Sequence, residues 1–131
     1  MILPPYAKVL GVTIEAGEGA PLLSMPFGED VLGRPGFVHG GALAGLLELA
    51  AIAALAVELE AAGREDVGYK PINVTVDFMR GGRDNMTFAQ GRVVRLGSRI
   101  ANVEAAAWQD ARDRPVASAR MNFLISGSAS A

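Results

Sequence analysis

Cysteine is absent from the 131-residue chain, and histidine occurs only once, at His39. The lack of cysteine excludes a disulfide framework, a thiol nucleophile and a cysteine metal site. A single histidine also excludes a histidine-rich metal site. The net charge is only −2 and the pI is near 5.3, so the chain has no basic excess. We therefore expect neither nucleic acid nor an anionic membrane as a partner.

The sequence also lacks the marks of a signal peptide and of a membrane span. The N-terminus has no basic start, and Pro4 and Pro5 interrupt its apolar stretch. The longest apolar run, residues 42–57, contains Glu48 and is shorter than the roughly 18–20 residues that a bilayer requires. These features predict a soluble protein, with the cytoplasm as the default location.

Hydrophobic residues make up 50% of the chain and charged residues 20%, which argues for a packed core and against disorder. A chain of this length fits one compact domain, residues 1–131. The small and polar tail, residues 126–131, is expected to fray.

One long helix dominates the pattern, from Gly40 to about Ala62. It consists mostly of alanine, leucine and glutamate and ends before Gly63, which is a plausible helix terminator. The helix is apolar nearly all round until Glu58, so other elements must cover most of its sides.

Strand-like segments precede and follow this helix. Two short ones span residues 6–16 and 20–26, and four longer ones span 71–79, 86–96, 99–109 and 115–125. Short connections favour antiparallel neighbours, and we predict that the last four strands form a meander. The result is an α+β domain in which a curved antiparallel sheet of five to six strands wraps around one central helix. Four strands on a surface helix are the alternative, but residues 42–57 lack the polar face that it requires.

The start of the predicted helix carries two glycines, Gly40 and Gly41, directly after His39. Backbone N–H groups in a first helical turn lack partners and carry partial positive charge, so they bind anions or developing oxyanions. Glycine lets a ligand approach that backbone closely. The alternative is that both glycines only permit tight packing.

Glu48 is the one carboxylate inside the apolar run. Burying a lone carboxylate costs free energy unless it is paired or hydrated. Desolvation raises the pKa of a carboxyl group, which suits a general base or acid, and such a group can also attack a carbonyl directly. The alternatives are a salt bridge to an arginine and exposure at an oligomer surface.

Gly40 and Glu48 are eight residues apart, or about 12 Å along a helix at 1.5 Å per residue. One small carbonyl group cannot touch both residues of the same chain. If both serve one site, a second chain supplies one of them, and a two-fold dimer then forms two identical sites.

Four segments together resemble the hotdog-fold thioesterases, and most closely the PaaI-like branch of the 4-hydroxybenzoyl-CoA thioesterase superfamily. They are "GFVHGGALAGLLELA", "INVTVDFMRGG", "VVRLGSR" and "PVASARMNFLI", and the resemblance covers residues from about 20 to 125. It implies an acyl-CoA thioesterase that releases a carboxylic acid and free coenzyme A without a metal or tightly bound cofactor. It further implies a homodimer in which the Gly40 N–H comes from one subunit and the Glu48 carboxylate from its neighbour. Many relatives pair such dimers into tetramers.

The resemblance also assigns roles to residues other than Gly40 and Glu48. His39 is expected to order the loop before the helix through a hydrogen bond to backbone, with direct proton transfer as the alternative, and Gly41 is expected to contact substrate. The turn region of relatives contacts the nucleotide and pyrophosphate of coenzyme A. Here that region supplies arginine side chains and turn donors, with ordinary surface arginines as the alternative: Arg80, Arg83, Arg95, Gly97, Ser98 and Arg99.

The chain departs from the family pattern at two places. Many relatives have Asn or Gln six positions before the histidine to help hold the carbonyl, and this chain has Gly33. Some have Ser or Thr four positions after the carboxylate, where this chain has Ile52, or in the strand after the helix, where Asn73 and Thr75 are close by. The acyl pocket would run between two long helices, where small residues such as Gly45 and Ala51 leave room.

Three other functions are weighed against the thioesterase. A non-catalytic acyl-CoA sensor or carrier fits the missing Asn or Gln, but it gains little from a carboxylate near a thioester. A hotdog hydratase or dehydratase usually needs an Asp–His pair within the helix region, and no histidine follows His39. A purely structural oligomer would bind no coenzyme A ester.

Overall fold

The computed structural model describes residues 3–17 and 19–128 as one long helix against a six-stranded antiparallel sheet, which confirms the predicted α+β architecture. The helices are α1 (Tyr6–Leu10) and α2 (Gly40–Ala61). The strands are β1 (Thr13–Glu15), β2 (Leu22–Met25), β3 (Val67–Phe78), β4 (Thr87–Leu96), β5 (Ile100–Trp108) and β6 (Ala117–Ser128). Strand β6 continues to Ser128, into the tail of residues 126–131 for which fraying stays a prediction, and residues 129–131 lie outside the described part.

Helix α2 forms the centre of the core. Its apolar side chains pack against the inner face of the sheet, mainly on β4, β5 and β6, and Leu46 and Ala50 are completely buried. Gly63, with φ 70°, ends the helix by a left-handed residue just after its last turn. The helix is long and apolar enough for a membrane span, but 67% of its most apolar window is buried inside the domain. It is therefore a core helix.

One side of α2 remains partly open. Four residues at every fourth position are only half-buried, and we call them the open stripe of α2: Ala44, Glu48, Ile52 and Ala56. Residues four apart lie on one face of a helix, so this stripe is continuous. Among the described residues of the chain, Glu48 thus lies on a half-buried face of α2.

The N-terminal segment differs from the prediction of a strand over residues 6–16. Residues Tyr6–Leu10 form a short helix, and only Thr13–Glu15 form a strand. The carbonyls of Pro4 and Pro5 accept hydrogen bonds from the N–H groups of Ala7 and Lys8, and proline's fixed φ suits such a first turn. Gly11, with φ 69°, then ends the helix.

The strand order is β1-β2-β4-β5-β6-β3, so the predicted four-strand meander is wrong. Of the four strands after α2, only β4, β5 and β6 follow one another as neighbours, and β3 pairs with β6 at the far edge. Residues 79–86 are therefore a crossover past the end of the sheet rather than a hairpin turn. The Gly82 carbonyl accepts a hydrogen bond of 2.8 Å from the Val38 N–H, which ties this crossover to the loop before α2.

Strand β3 forms an open edge of the sheet. No strand pairs with its outer side among residues 3–17 and 19–128. Its alternating apolar residues reach only partly over the core: Val76 is half-buried, while Val74 is 43% exposed and Phe78 is 58% exposed. A long edge strand with exposed apolar side chains is a surface that proteins normally cover.

Candidate active site

The imidazole of His39 caps the N-terminus of α2. Its Nδ1 accepts a hydrogen bond of 2.8 Å from the Gly41 N–H, and the extended backbone of His39 is that of an N-cap residue. In the neutral ring the proton is then on Nε2. A Cβ atom at position 41 would lie 2.9 Å from both Cε1 and Nδ1 of His39, so only glycine leaves room for the ring. The Gly41 N–H is thus already occupied, and substrate contact by Gly41 stays a prediction.

Gly40 carries the free donor of this helix start. The N–H groups of Ala42 and Leu43 both bond to the His39 carbonyl, and that of Gly41 bonds to the His39 ring. Within residues 3–17 and 19–128, the Gly40 N–H has no acceptor. An unpaired N–H at a helix N-terminus attracts negative charge.

Gly40 lines a cavity of about 500 Å³ at the end of the sheet. This volume lies in the range of small-molecule sites. Leu43, Phe78 and Met79 give the cavity apolar walls, and Arg34 and Arg80 add positive charge. The Phe78 ring lies against Gly40, since a Cβ there would be 3.5 Å from two ring carbons. No aspartate or glutamate lines the cavity in the described part of the chain.

The loop before α2 is built closely around His39. The His39 N–H donates to the Val31 carbonyl at 2.7 Å, and the Gly33 N–H donates to the Phe37 carbonyl at 2.9 Å. A Cβ at Gly33 would lie 3.0 Å from the Cα of His39. The chain therefore has no space for an Asn or Gln at this position without moving the backbone of His39.

Glu48 lies on the open stripe of α2, two helical turns beyond Gly40. Its side chain has no lysine or arginine partner within 4.0 Å, since the one ion pair among the described residues joins Arg92 and Glu104. The salt-bridge alternative is thus not what this chain shows. At 1.5 Å per residue, Gly40 and Glu48 of one chain are about 12 Å apart along the helix axis.

The arginines and turn residues predicted to bind coenzyme A fall into two groups. Arg80 lines the cavity beside Gly40, and Arg83 stacks on Phe37 at the same cavity. The remaining residues, Arg95, Gly97, Ser98 and Arg99, surround the β4–β5 turn near the other end of α2. Arg64, which follows α2, donates hydrogen bonds to the carbonyls of Gly97 at 3.0 Å and Ser98 at 3.3 Å. Since α2 is roughly 32 Å long at 1.5 Å per residue, one chain does not bring the two groups together.

Two pairs of residues considered from the sequence lie outside the site. The Asn73 side chain accepts a hydrogen bond from Asn122 on the outer face of the sheet, and Thr75 lies on that same face. Neither lies at the Gly40 cavity of the same chain, where it could take the place of the Ser or Thr of some relatives. Gly45 is covered by the Tyr6 ring and Ala51 is buried, so neither opens a pocket within one chain.

Three residues near the cavity escaped the sequence analysis: Arg34, Phe37 and Phe78. The contact between Arg34 and Phe37 could have been predicted, because the intervening Pro35-Gly36 is a turn sequence that places its flanking residues side by side. No sequence pattern predicts the contact of Phe78 with Gly40, because it depends on where β3 joins the sheet.

Known proteins give the same architecture. Residues 35–124 match the family model described as the thioesterase superfamily. A solved protein from Chromobacterium violaceum is 35% identical, with 92% of this chain and 82% of that chain covered and a TM-score of 0.72. A mutant thioesterase from Pseudomonas aeruginosa is 23% identical, with 92% and 85% covered and a TM-score of 0.78.

A phenylacetic acid degradation-related protein from Ralstonia eutropha is also 23% identical, with 95% of this chain and 92% of that chain covered and a TM-score of 0.77. No protein of curated function matches the sequence significantly. The hotdog fold and the resemblance to PaaI-like proteins are confirmed. Because the family model spans most of its length, the chain belongs to the thioesterase superfamily.

Proposed function

We propose that the protein is an acyl-CoA thioesterase that hydrolyses a thioester to a carboxylic acid and free coenzyme A. The observation that carries this proposal is the Gly40 N–H, which is the unpaired donor of a helix N-terminus and lines a ligand-sized cavity. The lone carboxylate on the open stripe of the same helix, Glu48, is the second chemical group of the site.

In the proposed reaction the thioester carbonyl oxygen accepts a hydrogen bond from the Gly40 N–H, which strengthens as negative charge develops. One such donor contributes about 3 kcal/mol to the rate. Glu48 removes a proton from water, the water oxygen attacks the carbonyl carbon, and the C–S bond breaks as the proton passes to the leaving sulfur. Alternatively, Glu48 attacks the carbonyl and forms an anhydride that water then opens. Neither route uses a metal or a bound cofactor.

The two groups come from two copies of the chain in this proposal. Their separation of about 12 Å on one helix is too large for a single carbonyl. The open edge of β3 and its exposed Val74 and Phe78 support a two-fold pairing of β3 with β3 of a second copy. Such a dimer covers an edge that is otherwise unpaired, and we propose that dimers associate further into tetramers.

Coenzyme A is the proposed partner, with no role for nucleic acid or membrane. His39 holds the start of α2, Gly41 lies beside the thioester, and Arg80 lies at the cavity. We propose that the β4–β5 turn of residues 95–99 contacts the nucleotide and pyrophosphate, because its arginines and turn N–H groups suit phosphate. The cytoplasm is the proposed location.

A non-catalytic acyl-CoA sensor or carrier is the second candidate. It is favoured by Gly33, where the packing against His39 leaves no space for a carbonyl-holding amide. A sensor would bind acyl-CoA esters without hydrolysing them.

The deciding experiment measures release of free thiol from a panel of aromatic and aliphatic acyl-CoA esters. We expect turnover by the wild type and a loss of about 100-fold or more in Glu48→Gln. Glu58→Gln is the matched control, because Glu58 is an exposed glutamate on the same helix. Tight binding without turnover by the wild type would replace the enzyme with the sensor.

A mixed dimer tests the shared site. Gly40→Pro removes the N–H at a helix position that accepts proline, and the extended backbone of His39 is the one that precedes proline. Gly40→Pro and Glu48→Gln should each be inactive alone. Random mixing of the two variants should restore about one quarter of the wild-type activity, because half of the dimers are mixed and each has one intact site. No restoration on confirmed mixing would refute a site built from two chains.

A further inference from the structure

Two arginines stack on one aromatic ring at the edge of the Gly40 cavity. The guanidinium carbon of Arg34 lies 4.1 Å from the centroid of Phe37, and that of Arg83 lies 4.4 Å from the same centroid. The two guanidinium carbons are therefore no farther apart than these two distances added together. Cation–π contact holds each guanidinium over the ring with its N–H groups free at the edges.

The local sequence fixes this arrangement. The Phe37 N–H donates to the Arg34 carbonyl at 2.9 Å, and Gly36 between them has φ 81°, as in a type II turn with Pro35 before the glycine. The turn brings the first and fourth residues together, so Arg34 lies beside Phe37. The Phe37 ring in turn packs on Gly81, where a Cβ would come within 2.7 Å of the ring.

Arg83 is held from the crossover side. The Gln109 side chain accepts a hydrogen bond of 2.9 Å from the Arg83 N–H and donates one of 2.9 Å to the Arg83 carbonyl. The same amide also donates to Thr87 Oγ1 at 3.1 Å. The backbone at Arg83 is thus anchored to Gln109 just after β5 and, through it, to Thr87 at the start of β4, so both arginines project from fixed segments.

These positive charges have no partner in the described residues. No carboxylate lies within 4.0 Å of Arg34, Arg80 or Arg83 across residues 3–17 and 19–128. The cavity is therefore strongly positive in a protein whose net charge is −2. An anionic ligand group is the chemistry that this concentration of unpaired guanidinium groups attracts.

The position of the charge on the ligand follows from the proposed function, on which this inference rests. A thioester carbonyl at Gly40 places the acyl group and the start of the pantetheine arm in a cavity of about 500 Å³. The pantetheine arm is uncharged, and its whole length separates the sulfur from the first phosphate. Glu48 of the second copy brings one negative charge to this carbonyl, so the further negative charge that the arginines attract is that of the acyl group.

We infer that the enzyme prefers thioesters whose acyl group ends in a carboxylate, which Arg34 and Arg83 bind while Phe78 and Met79 contact the carbon chain. The acyl chain is short, because Arg34 and Gly40 line one cavity of about 500 Å³ and Arg83 stacks on Phe37, which lines the same cavity. The preferred substrates are thus half-thioesters of short dicarboxylic acids.

The test compares succinyl-CoA with butyryl-CoA, which differ in a terminal carboxylate against a methyl group on a chain of four carbons. We expect kcat/KM to be at least 10-fold higher for succinyl-CoA in the wild type. Arg34→Gln should lower kcat/KM for succinyl-CoA by about 10- to 100-fold and leave butyryl-CoA within about 3-fold, and Arg83→Gln should lower kcat/KM for succinyl-CoA at least about 10-fold more than for butyryl-CoA. Arg112→Gln is the matched control, because Arg112 stacks on Trp108 at 4.3 Å in the same way but lies away from this cavity.

Other outcomes would overturn the inference. Equal losses for both esters in Arg34→Gln would mean that the arginines only hold the loop. Losses for every CoA ester, but none for the N-acetylcysteamine thioesters of the same acids, would assign the arginines to the phosphates of coenzyme A. An equal or higher kcat/KM for butyryl-CoA in the wild type would also refute it.

Failure of the proposed hydrolysis is a separate result. If the wild type hydrolyses no ester, calorimetry with two stable thioethers, S-(3-carboxypropyl)-CoA and S-butyl-CoA, still measures the preference. Tighter binding of the carboxypropyl compound, lost in Arg34→Gln, would support the anionic acyl site in a binding protein. Equal affinity would refute it.

Discussion

Replacing His39 with asparagine separates the two roles that an imidazole at the start of α2 can have. The His39 ring accepts a hydrogen bond of 2.8 Å from the Gly41 N–H through Nδ1. Asparagine is among the best N-cap residues and offers an acceptor oxygen for the same N–H, but it cannot transfer a proton. His39→Asn therefore keeps the cap and deletes any acid–base chemistry.

The two roles predict effects of very different size. Loss of an N-cap costs about 1 kcal/mol, with a range of roughly 0.5–2 kcal/mol, and would appear as reduced stability in His39→Ala. Loss of a general base or acid lowers the rate by about 10²- to 10⁴-fold, or roughly 3–5 kcal/mol of transition-state stabilisation. Because the ring is already engaged with Gly41, we expect His39→Asn to retain kcat/KM within about 3-fold and His39→Ala to lose stability.

The assay pairs urea unfolding with thiol release from an acyl-CoA ester at several concentrations of protein, so that dimer dissociation is detected. Gly41→Ala serves as a second control, since its Cβ would displace the imidazole by coming within 2.9 Å of it. Its stability should resemble that of His39→Ala although the histidine is present. A His39→Asn variant with wild-type stability and a loss of 100-fold or more would refute the reasoning and make His39 a proton-transfer group.

Two further predictions concern packing and assembly. Gly91→Ala should lower the free energy of unfolding by about 1–3 kcal/mol in urea titrations, because its Cβ would lie 2.5 Å from the Ala50 carbonyl oxygen. Gly28→Ala is the control and should not lower it, because the space around Gly28 is open. Equal stability of the two variants would contradict the tight contact between α2 and β4. Val74→Lys should give monomers in sedimentation velocity and abolish turnover, because a charge on the open edge of β3 opposes strand pairing. Val94→Lys is the control and should remain dimeric, because it changes a similarly exposed valine on another strand. A dimeric Val74→Lys would exclude β3 from the interface.

The elements of this fold were largely readable from the sequence, but their order in the sheet was not. The continuous apolar run and Gly63 predicted α2 to within one residue of its observed end, because helix periodicity and termination are local properties. The strands after α2 were located for the same reason. Their order failed because β3 pairs with β6 through contacts far apart in the chain, and the glycines of the 79–86 connection imitate a hairpin turn.

In the candidate site, too, the local features could be predicted from the sequence and the long-range contacts could not. His39, Gly40 and Glu48 were found from one contiguous stretch, because their spacing on a helix start is itself a chemical pattern. Arg83 was noted only as one arginine among several, and its stacking on Phe37 could not be seen. That contact requires the crossover loop to pass beside the loop before α2, which depends on the strand order that the sequence did not reveal.

The presence of Gly33 where many relatives have Asn or Gln has a structural explanation that links it to the rest of the site. Space for a side chain at position 33 is taken by the backbone of His39, and space at position 41 is taken by its ring. Both glycines thus leave room for His39. The His39 ring accepts the hydrogen bond of the Gly41 N–H, and the His39 carbonyl accepts those of the Ala42 and Leu43 N–H groups. The loop is organised so that one donor, the Gly40 N–H, remains for a ligand. A missing amide at Gly33 therefore leaves more of the carbonyl's stabilisation to that single N–H, and it does not by itself argue against catalysis.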